Sequence, residues 1–291
     1  MARLPSPAHG GGAGGGGVMR EQQRQWSVAL HDADLGVSAL HAHFTTHAFA
    51  PHWHDYYVIG LIADGVQSFA YRRNIYYTTR GGLFILNPGE PHTGQSAVES
   101  GFTYRAIYPT NEHMAAVMRE LGRPEKLPLF STVRVDEQDI AATMQLVHAT
   151  LDSALSPLER QTRWLSLLTT LVLRYGPERV ALPVVGSEPR AVALARAYLE
   201  DHYAERITLP ALAAETNLSP FHLVRVFRRA TGITPHAYLE SVRIRRAQRL
   251  LEAGETPATA AYLTGFSSQS HFTARFRRTI GVTPALYRKR W

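Results

Sequence analysis

None of the chain's 291 residues is cysteine. That absence removes disulfide scaffolds, thiolate zinc sites and cysteine nucleophiles together. Long hydrophobic runs are missing as well. The longest, around Trp164–Leu173, is broken by Ser166, Thr169 and Thr170 and reaches only about half the length of a membrane span. No membrane partner is expected. The amino terminus carries a glycine run where a secretory signal carries an apolar core, so the expected compartment is the cytoplasm. Charged residues make up 19% of the chain and apolar residues 45%, a balance that supplies cores and excludes a chain disordered throughout. A length of 291 residues suggests about two domains.

The charge that is present is unevenly placed. Residues 188–291 hold 16 Lys+Arg against 8 Asp+Glu, whereas residues 1–187 hold 15 against 16. The whole net charge of +7 therefore comes from the last third, and a polyanion is the natural partner for such a segment.

The texture changes along the chain. Residues 1–18 form a glycine-rich tail, and Met19, which heads a more ordinary sequence, is a candidate for the true start. Residues 28–110 read as β-structure. Runs rich in aromatic and β-branched residues (Tyr56–Ile62, Val66–Tyr71, Ile75–Thr78, Leu83–Leu86, Phe102–Tyr108) alternate with turn signals such as Asp64-Gly65, Arg72-Arg73-Asn74 and Gly81-Gly82. A small antiparallel barrel is expected. Residues 111–176 switch to helical periodicity over Asn111–Leu121, Asp136–Asp152 and Pro157–Tyr175. Residues 177–189 contain three prolines and read as a linker to a last domain at 190–290.

That last domain repeats itself. A shift of 49 residues places Ser219 on Ser268, His222 on His271, Phe227 on Phe276, Arg228-Arg229 on Arg277-Arg278, Gly232 on Gly281, Thr234-Pro235 on Thr283-Pro284 and Tyr238 on Tyr287. In each copy a short helix (Leu209–Thr216, Pro257–Leu263) is followed by a tight turn and a Ser-capped basic helix that a glycine stops. Two helices across a tight turn, the second one basic, make a helix-turn-helix. Between the copies His236–Leu251 reads as one helix of 16 residues, about 24 Å long. With the widths of the units added, such a rod sets two reading helices about one turn of B-DNA apart.

These residues resemble the AraC/XylS family of bacterial transcription regulators. The resemblance is carried by Leu218-Ser219-x-x-His222-Leu223-x-Arg225-x-Phe227, Gly232-Ile233-Thr234-Pro235, Gly265-Phe266-Ser267-x-x-Ser270-His271-Phe272 and Phe276-Arg277-Arg278-x-x-Gly281-Val282-Thr283-Pro284-x-x-Tyr287-Arg288. It implies binding to double-stranded promoter DNA through two helix-turn-helix units, and activation through contact with RNA polymerase. In the first unit Leu223, Val226, Phe227 and Ala230 share the expected core face. Arg225 is then the leading candidate for base reading, with Pro220, Phe221, Val224 and Arg228 beside it. In the second unit Ser268, Gln269, Ser270, Thr273, Ala274 and Arg277 occupy the corresponding surface. His222 and His271 are expected to pack inward and serve the helix caps.

The β-region carries a second resemblance. His52-Trp53-His54-Asp55-Tyr56-Tyr57 and Gly82-x5-Pro88-Gly89-Glu90-Pro91-His92 are similar to the two halves of the cupin signature. Metal cupins carry an acidic ligand at the position that falls here near Val58 or Ile59, where there is none. The expected fold is therefore an α+β multidomain chain: a cupin-like antiparallel β-barrel, a helical connector, and an all-α domain with two helix-turn-helix units. The barrel is expected to hold a small-molecule effector, with no metal or other cofactor, through His52, His54, Tyr56, His92 and, for an anion, Arg105. The connector stripes Met144/Val147/Leu151 and Trp164/Leu167/Leu168/Leu171 are expected either to form a homodimer contact or to pack on the chain's own barrel. The expected function is that of a ligand-responsive, non-enzymatic transcription regulator. The alternative is a metal-dependent cupin enzyme fused to a DNA-binding module.

Overall fold

The computed structural model describes residues 25–123, 126–151, 155–176 and 188–289. The expected tail, the candidate start at Met19 and nearly all of the expected linker lie outside these residues.

The first part is a two-sheet β-roll built from β1 (Trp26–Asp32), β2 (Val37–Phe44), β3 (Phe49–His52), β4 (Val58–Tyr71), β5 (Asn74–Thr79), β6 (Leu83–Leu86), β7 (His92–Ser96), β8 (Phe102–Tyr108) and β9 (Arg134–Val135). One sheet runs β1-β2-β8-β4-β6-β9; in the other, β4 pairs with β5 and β7, and β7 with β3, every pair being antiparallel. Strand β4 belongs to both sheets. Asp64-Gly65 looked like a hairpin turn in the sequence, but the chain continues through it as a 14-residue strand with its register shifted between Ile62 and Asp64. Gly65 has φ of +73° there, and a Cβ would sit 2.1 Å from the carbonyl oxygen of Gly101. A bulge that bends a strand from one sheet into the next needs a glycine at that point.

Alternation along the strands gives the first sheet two different faces. Ala42, Val58, Ile62, Phe69, Phe102, Tyr104 and Ala106 fill the interior of the roll. Val37, Ala39, Ile59, Leu61 and Ile107 point the other way, into a second core. Helices α1 (Asn111–Glu120), α2 (Gln138–Thr150) and α3 (Pro157–Tyr175) close that outer core. The connector stripes end here: Met144, Val147, Leu167, Leu168 and Leu171 are all at most 1% exposed, against the chain's own sheet. They hold the connector to the roll, and a dimer contact has to use other residues.

The last part comprises α4 (Pro189–Asp201), α5 (Leu209–Glu215), α6 (Pro220–Thr231), α7 (Pro235–Glu252), α8 (Pro257–Leu263), α9 (Gln269–Ile280) and α10 (Pro284–Arg288). Ser219 and Ser268 cap α6 and α9 by accepting from the backbone N–H of His222 and His271. Gly232 and Gly281 end the same helices in the left-handed conformation, with φ of +78° and +92°, which glycine adopts without steric cost. The two units are not identical. Threonine caps open α5 and α8 at positions 208 and 256, 48 residues apart, whereas the serine caps are 49 apart. The turn of the second unit is therefore one residue longer. Left-handed Asn217 in the first unit matches left-handed Gly265 in the second.

Candidate DNA-binding surface and sensor pocket

The contact residues expected on α9 lie on its accessible side. Ser268, Gln269, Ser270, Ala274 and Arg277 are exposed and Thr273 is half-buried. In the first unit Pro220 and Arg225 are half-buried and Arg228 is exposed, the Arg225 guanidinium lying 5.2 Å from the centre of the Phe221 ring. Leu223, Val226 and Phe227 are core, as expected, but Ala230 is exposed.

Phe221 and Val224 are not on an open surface in this arrangement. Phe221 is 5% exposed and belongs to the core cluster of the roll and connector, together with Met118, Leu121 and Trp164. Val224 is 9% exposed, in a cluster that includes Leu158 of α3. The cap of the same helix is engaged as well: the Ser219 hydroxyl donates to the Glu120 carboxylate at the end of α1. Helical periodicity shows that an apolar face exists, but DNA and a neighbouring domain can cover it equally well.

A further set of contacts, unanticipated from the sequence, joins the roll and connector to both units of the last domain. Arg275 of α9 donates to Glu159 of α3 at 2.7 Å and pairs with Glu240 of α7 at 3.2 Å. The Arg275 and Glu159 side chains are only 11% and 5% exposed. Burial disfavours the charge on Glu159, but the cations Arg275 and Arg163 outweigh it and hold the carboxyl below its usual range. His236 lies among these groups. Burial, reinforced by Arg163, Arg275 and Arg278 against the pull of Glu159, lowers its imidazole to about 4. Arg206 and Arg160 meet at Asp34 of the β1–β2 turn, and Arg160 also reaches Asp32 at 2.8 Å. The backbone N–H of Leu209 donates to Gln161 at 2.7 Å. A signal for Arg275 was available: at the 49-residue offset it stands where the first unit has the core residue Val226. A cation on a core face calls for a buried anion.

His222 and His271 are both half-buried, and the His222 ring lies 3.9 Å from the Glu188 carboxylate. Their N–H groups serve the serine caps, and the His271 ring meets the edge of Phe266 and accepts from Arg275 at 3.2 Å.

In the roll, the structure brings together four of the five expected effector residues. His52 and His92 are direct cross-strand partners in β3 and β7. Their ring centres lie 4.4 Å apart, and His54 lies 5.5 and 4.6 Å from the two. Tyr56 stacks on His54 at 4.4 Å with its plane 10° away. Behind it, Tyr108 and Tyr104, which sequence reasoning missed, extend the group inward. Burial pushes the phenols of Tyr56, Tyr104 and Tyr108 up, so all three are neutral hydroxyls at ordinary pH. Burial likewise lowers His92, and burial with the neighbouring His92 and His52 lowers His54 to about 4. Neutral imidazoles and phenols offer hydrogen bonds, or ring nitrogens for a metal ion, beside the aromatic interior of the roll.

Arg105 does not join them. It sits between Tyr104 and Ala106, which face the interior, and pairs across the sheet with His41. Its side chain is therefore on the outer face, where its charge, after burial, helps lower His41. The same alternation could have excluded it from the sequence.

These two sites define a ligand-sensing domain coupled to a two-headed DNA-binding module, and comparison with known proteins gives the same division. Residues 34–168 match the AraC-like ligand binding domain, and residues 212–290 match a helix-turn-helix domain. The chain is 34% identical over 240 residues to the HTH-type transcriptional regulator YbfI of Bacillus subtilis, covering 82% of this chain and 87% of that one. It is 28% identical over 246 residues to the HTH-type transcriptional activator RhaS of Escherichia coli O81, covering 81% and 86%. Among solved structures, the DNA-binding domain of the global transcriptional factor AdpA, in complex with a target DNA, is 34% identical with a TM-score of 0.33, covering 34% of this chain and 90% of that one. The chain belongs to the AraC/XylS family: it is an AraC-type DNA-binding transcription regulator with an N-terminal ligand-binding domain. Among the described residues no helix is long and apolar enough to cross a membrane.

Proposed function

We propose that the protein is a ligand-responsive activator that binds promoter DNA in the cytoplasm as a homodimer, contacts RNA polymerase there, and carries out no catalysis of its own. The observation that carries this reading is the pair of serine-capped basic helices, α6 and α9, attached to one continuous 18-residue rod, α7. Arg225 reads base edges from α6, with Pro220 and Arg228 beside it; Gln269, Ser270, Thr273 and Ala274 read from α9, and Ser268 and Arg277 hold the phosphates. The effector occupies the mouth of the roll against His52, His54, Tyr56 and His92. Relatives that carry the names of transcription regulators along most of their length support regulation over the enzyme alternative.

The docking of α6 on α1 suggests how the ligand acts. With Phe221 and Val224 covered, the first unit is held back from a major groove. An effector that favours the released arrangement raises DNA affinity by its differential affinity for the two states, and by no more. The dimer uses the exposed side of α2, where Leu146 is 54% exposed, because the buried stripes are already occupied. Footprinting of the wild type and of Arg225→Ala on promoter fragments from the protein's own genome tests the reading. An unchanged footprint and affinity in the variant would reject the assigned orientation of α6.

A further inference from the structure

We infer that the mouth of the roll is a binding site for a divalent transition-metal ion, held by His52, His54 and His92. Each of the three offers one ring nitrogen, and the three nitrogens lie within 4.8 Å of one another. Zinc–imidazole bonds of about 2.0–2.1 Å bring ligand nitrogens somewhat closer than that, a contraction that small side-chain rotations supply. The convergence does not depend on side-chain choice alone. The β3–β7 register makes His52 and His92 opposite partners, and His54 follows two residues after His52.

The second observation concerns what holds the rings. Nδ1 of His52 is 2.8 Å from the carbonyl oxygen of Ala50, and Nδ1 of His92 is 3.0 Å from that of Glu90. A carbonyl only accepts, so both Nδ1 atoms carry the proton and both Nε2 atoms present a lone pair. A backbone carbonyl that fixes the tautomer of a ligand histidine is the usual outer shell of a metal site.

The donor set also selects the ion. Glu90, the acidic group next in sequence to the site, is taken by Arg72 at 2.6 and 2.7 Å. Three imidazoles with no carboxylate or thiolate suit zinc, nickel, cobalt, copper or iron(II), and do not suit magnesium or calcium. Three neutral ligands would leave the charge of the ion uncompensated and coordination positions open, with Tyr56 stacked on His54 beside the site. Water or an oxygen anion completes such a site. The ion therefore supplies, in the position the effector is proposed to occupy, the positive charge that Arg105 cannot. The regulatory meaning of the site rests on the proposed function; the binding of metal does not.

The test is titration of metal-stripped full-length protein with cobalt(II), followed by its visible d–d absorption. The expected result is one equivalent bound by the wild type, loss of at least about 10-fold in affinity in both His54→Ala and His92→Gln, and unchanged binding in His41→Ala on the outer face. Far-UV circular dichroism of each variant separates lost ligation from lost fold. Absence of the band in the wild type, or its persistence in both folded variants, overturns the site. Promoter binding is measured on the same samples to keep the two readings apart. A stripped protein that binds promoter DNA, responds to a metal-independent ligand and takes no cobalt overturns the metal site and leaves the regulator. A protein that takes cobalt through these histidines and ignores promoter DNA does the reverse.

Discussion

Glu159→Ala should make the full-length protein bind promoter DNA more tightly without any ligand. The carboxylate is 5% exposed and accepts at 2.7 Å from Arg275, whose side chain is 11% exposed. Removing one partner of a buried ion pair costs about 3–5 kcal/mol. Arg275 retains Glu240 at 3.2 Å, so the loss of docking energy falls below that range, at about 2–3 kcal/mol. Each 1.4 kcal/mol is tenfold, so the docked arrangement loses about 30- to 140-fold in relative population. Where docking limits DNA engagement, the apparent affinity rises toward that factor until the released state dominates. Fluorescence anisotropy at fixed salt measures the change. Arg174→Ala is the matched control: it breaks pairs with Glu137 and Asp139 at 2.6 and 2.7 Å that lie between α2 and α3 and touch no reading unit. A folded Glu159→Ala variant with wild-type affinity would refute the claim that this contact restrains the DNA-binding module.

His236 gives a pH dependence of definite sign. Its folded imidazole is lowered to about 4 from about 6.5 when unfolded, so the unfolded chain takes up the proton first. The stabilisation is complete above pH ~6.5, falls by about 2 kcal/mol by pH ~5, and continues to fall to pH ~4; thermal denaturation should show a slope in the wild type that is steeper than that of His236→Phe by this amount, the remaining slope belonging to the other buried histidines such as His54. Arg225→Ala should lose about 1–3 kcal/mol of specific binding and relax one base preference in a selection experiment. Arg277→Ala should weaken binding to all sequences alike and reduce the salt slope by about one. Gly265→Ala should destabilise the second unit by at least about 2 kcal/mol, because the residue has φ of +74° and a Cβ would lie 2.4 Å from the Ala204 carbonyl oxygen; an unchanged melting temperature would contradict that.

Much of this is legible in the sequence, and the parts that are not share a cause. The helix-turn-helix pair could be read because caps, stops and core aromatics are local signals, and the internal repeat states them twice. The histidine cluster could be read because motif spacing and strand pairing agree. Asp64-Gly65 failed as a turn because a glycine bulge and a hairpin use the same residue types, and only the partner strand distinguishes them. The docking of Phe221 on the connector was not legible for a similar reason: an apolar side chain beside a basic surface does not name what covers it. Arg105 and Arg275 were readable in principle, the first from strand alternation and the second from comparison with Val226 in the sister unit.

Helix α7 is continuous from Pro235 to Glu252, and both reading units are packed onto it. The distance between the two half-sites on DNA is thus a property of one covalent cylinder. Substitutions on α6 and α9 can re-spell either half-site separately. A single residue inserted into α7, however, would swing one head by about 100° around the axis and shift it by about 1.5 Å, far enough to leave its groove. Divergence along such a chain can therefore change the letters of an operator while leaving its ruler alone.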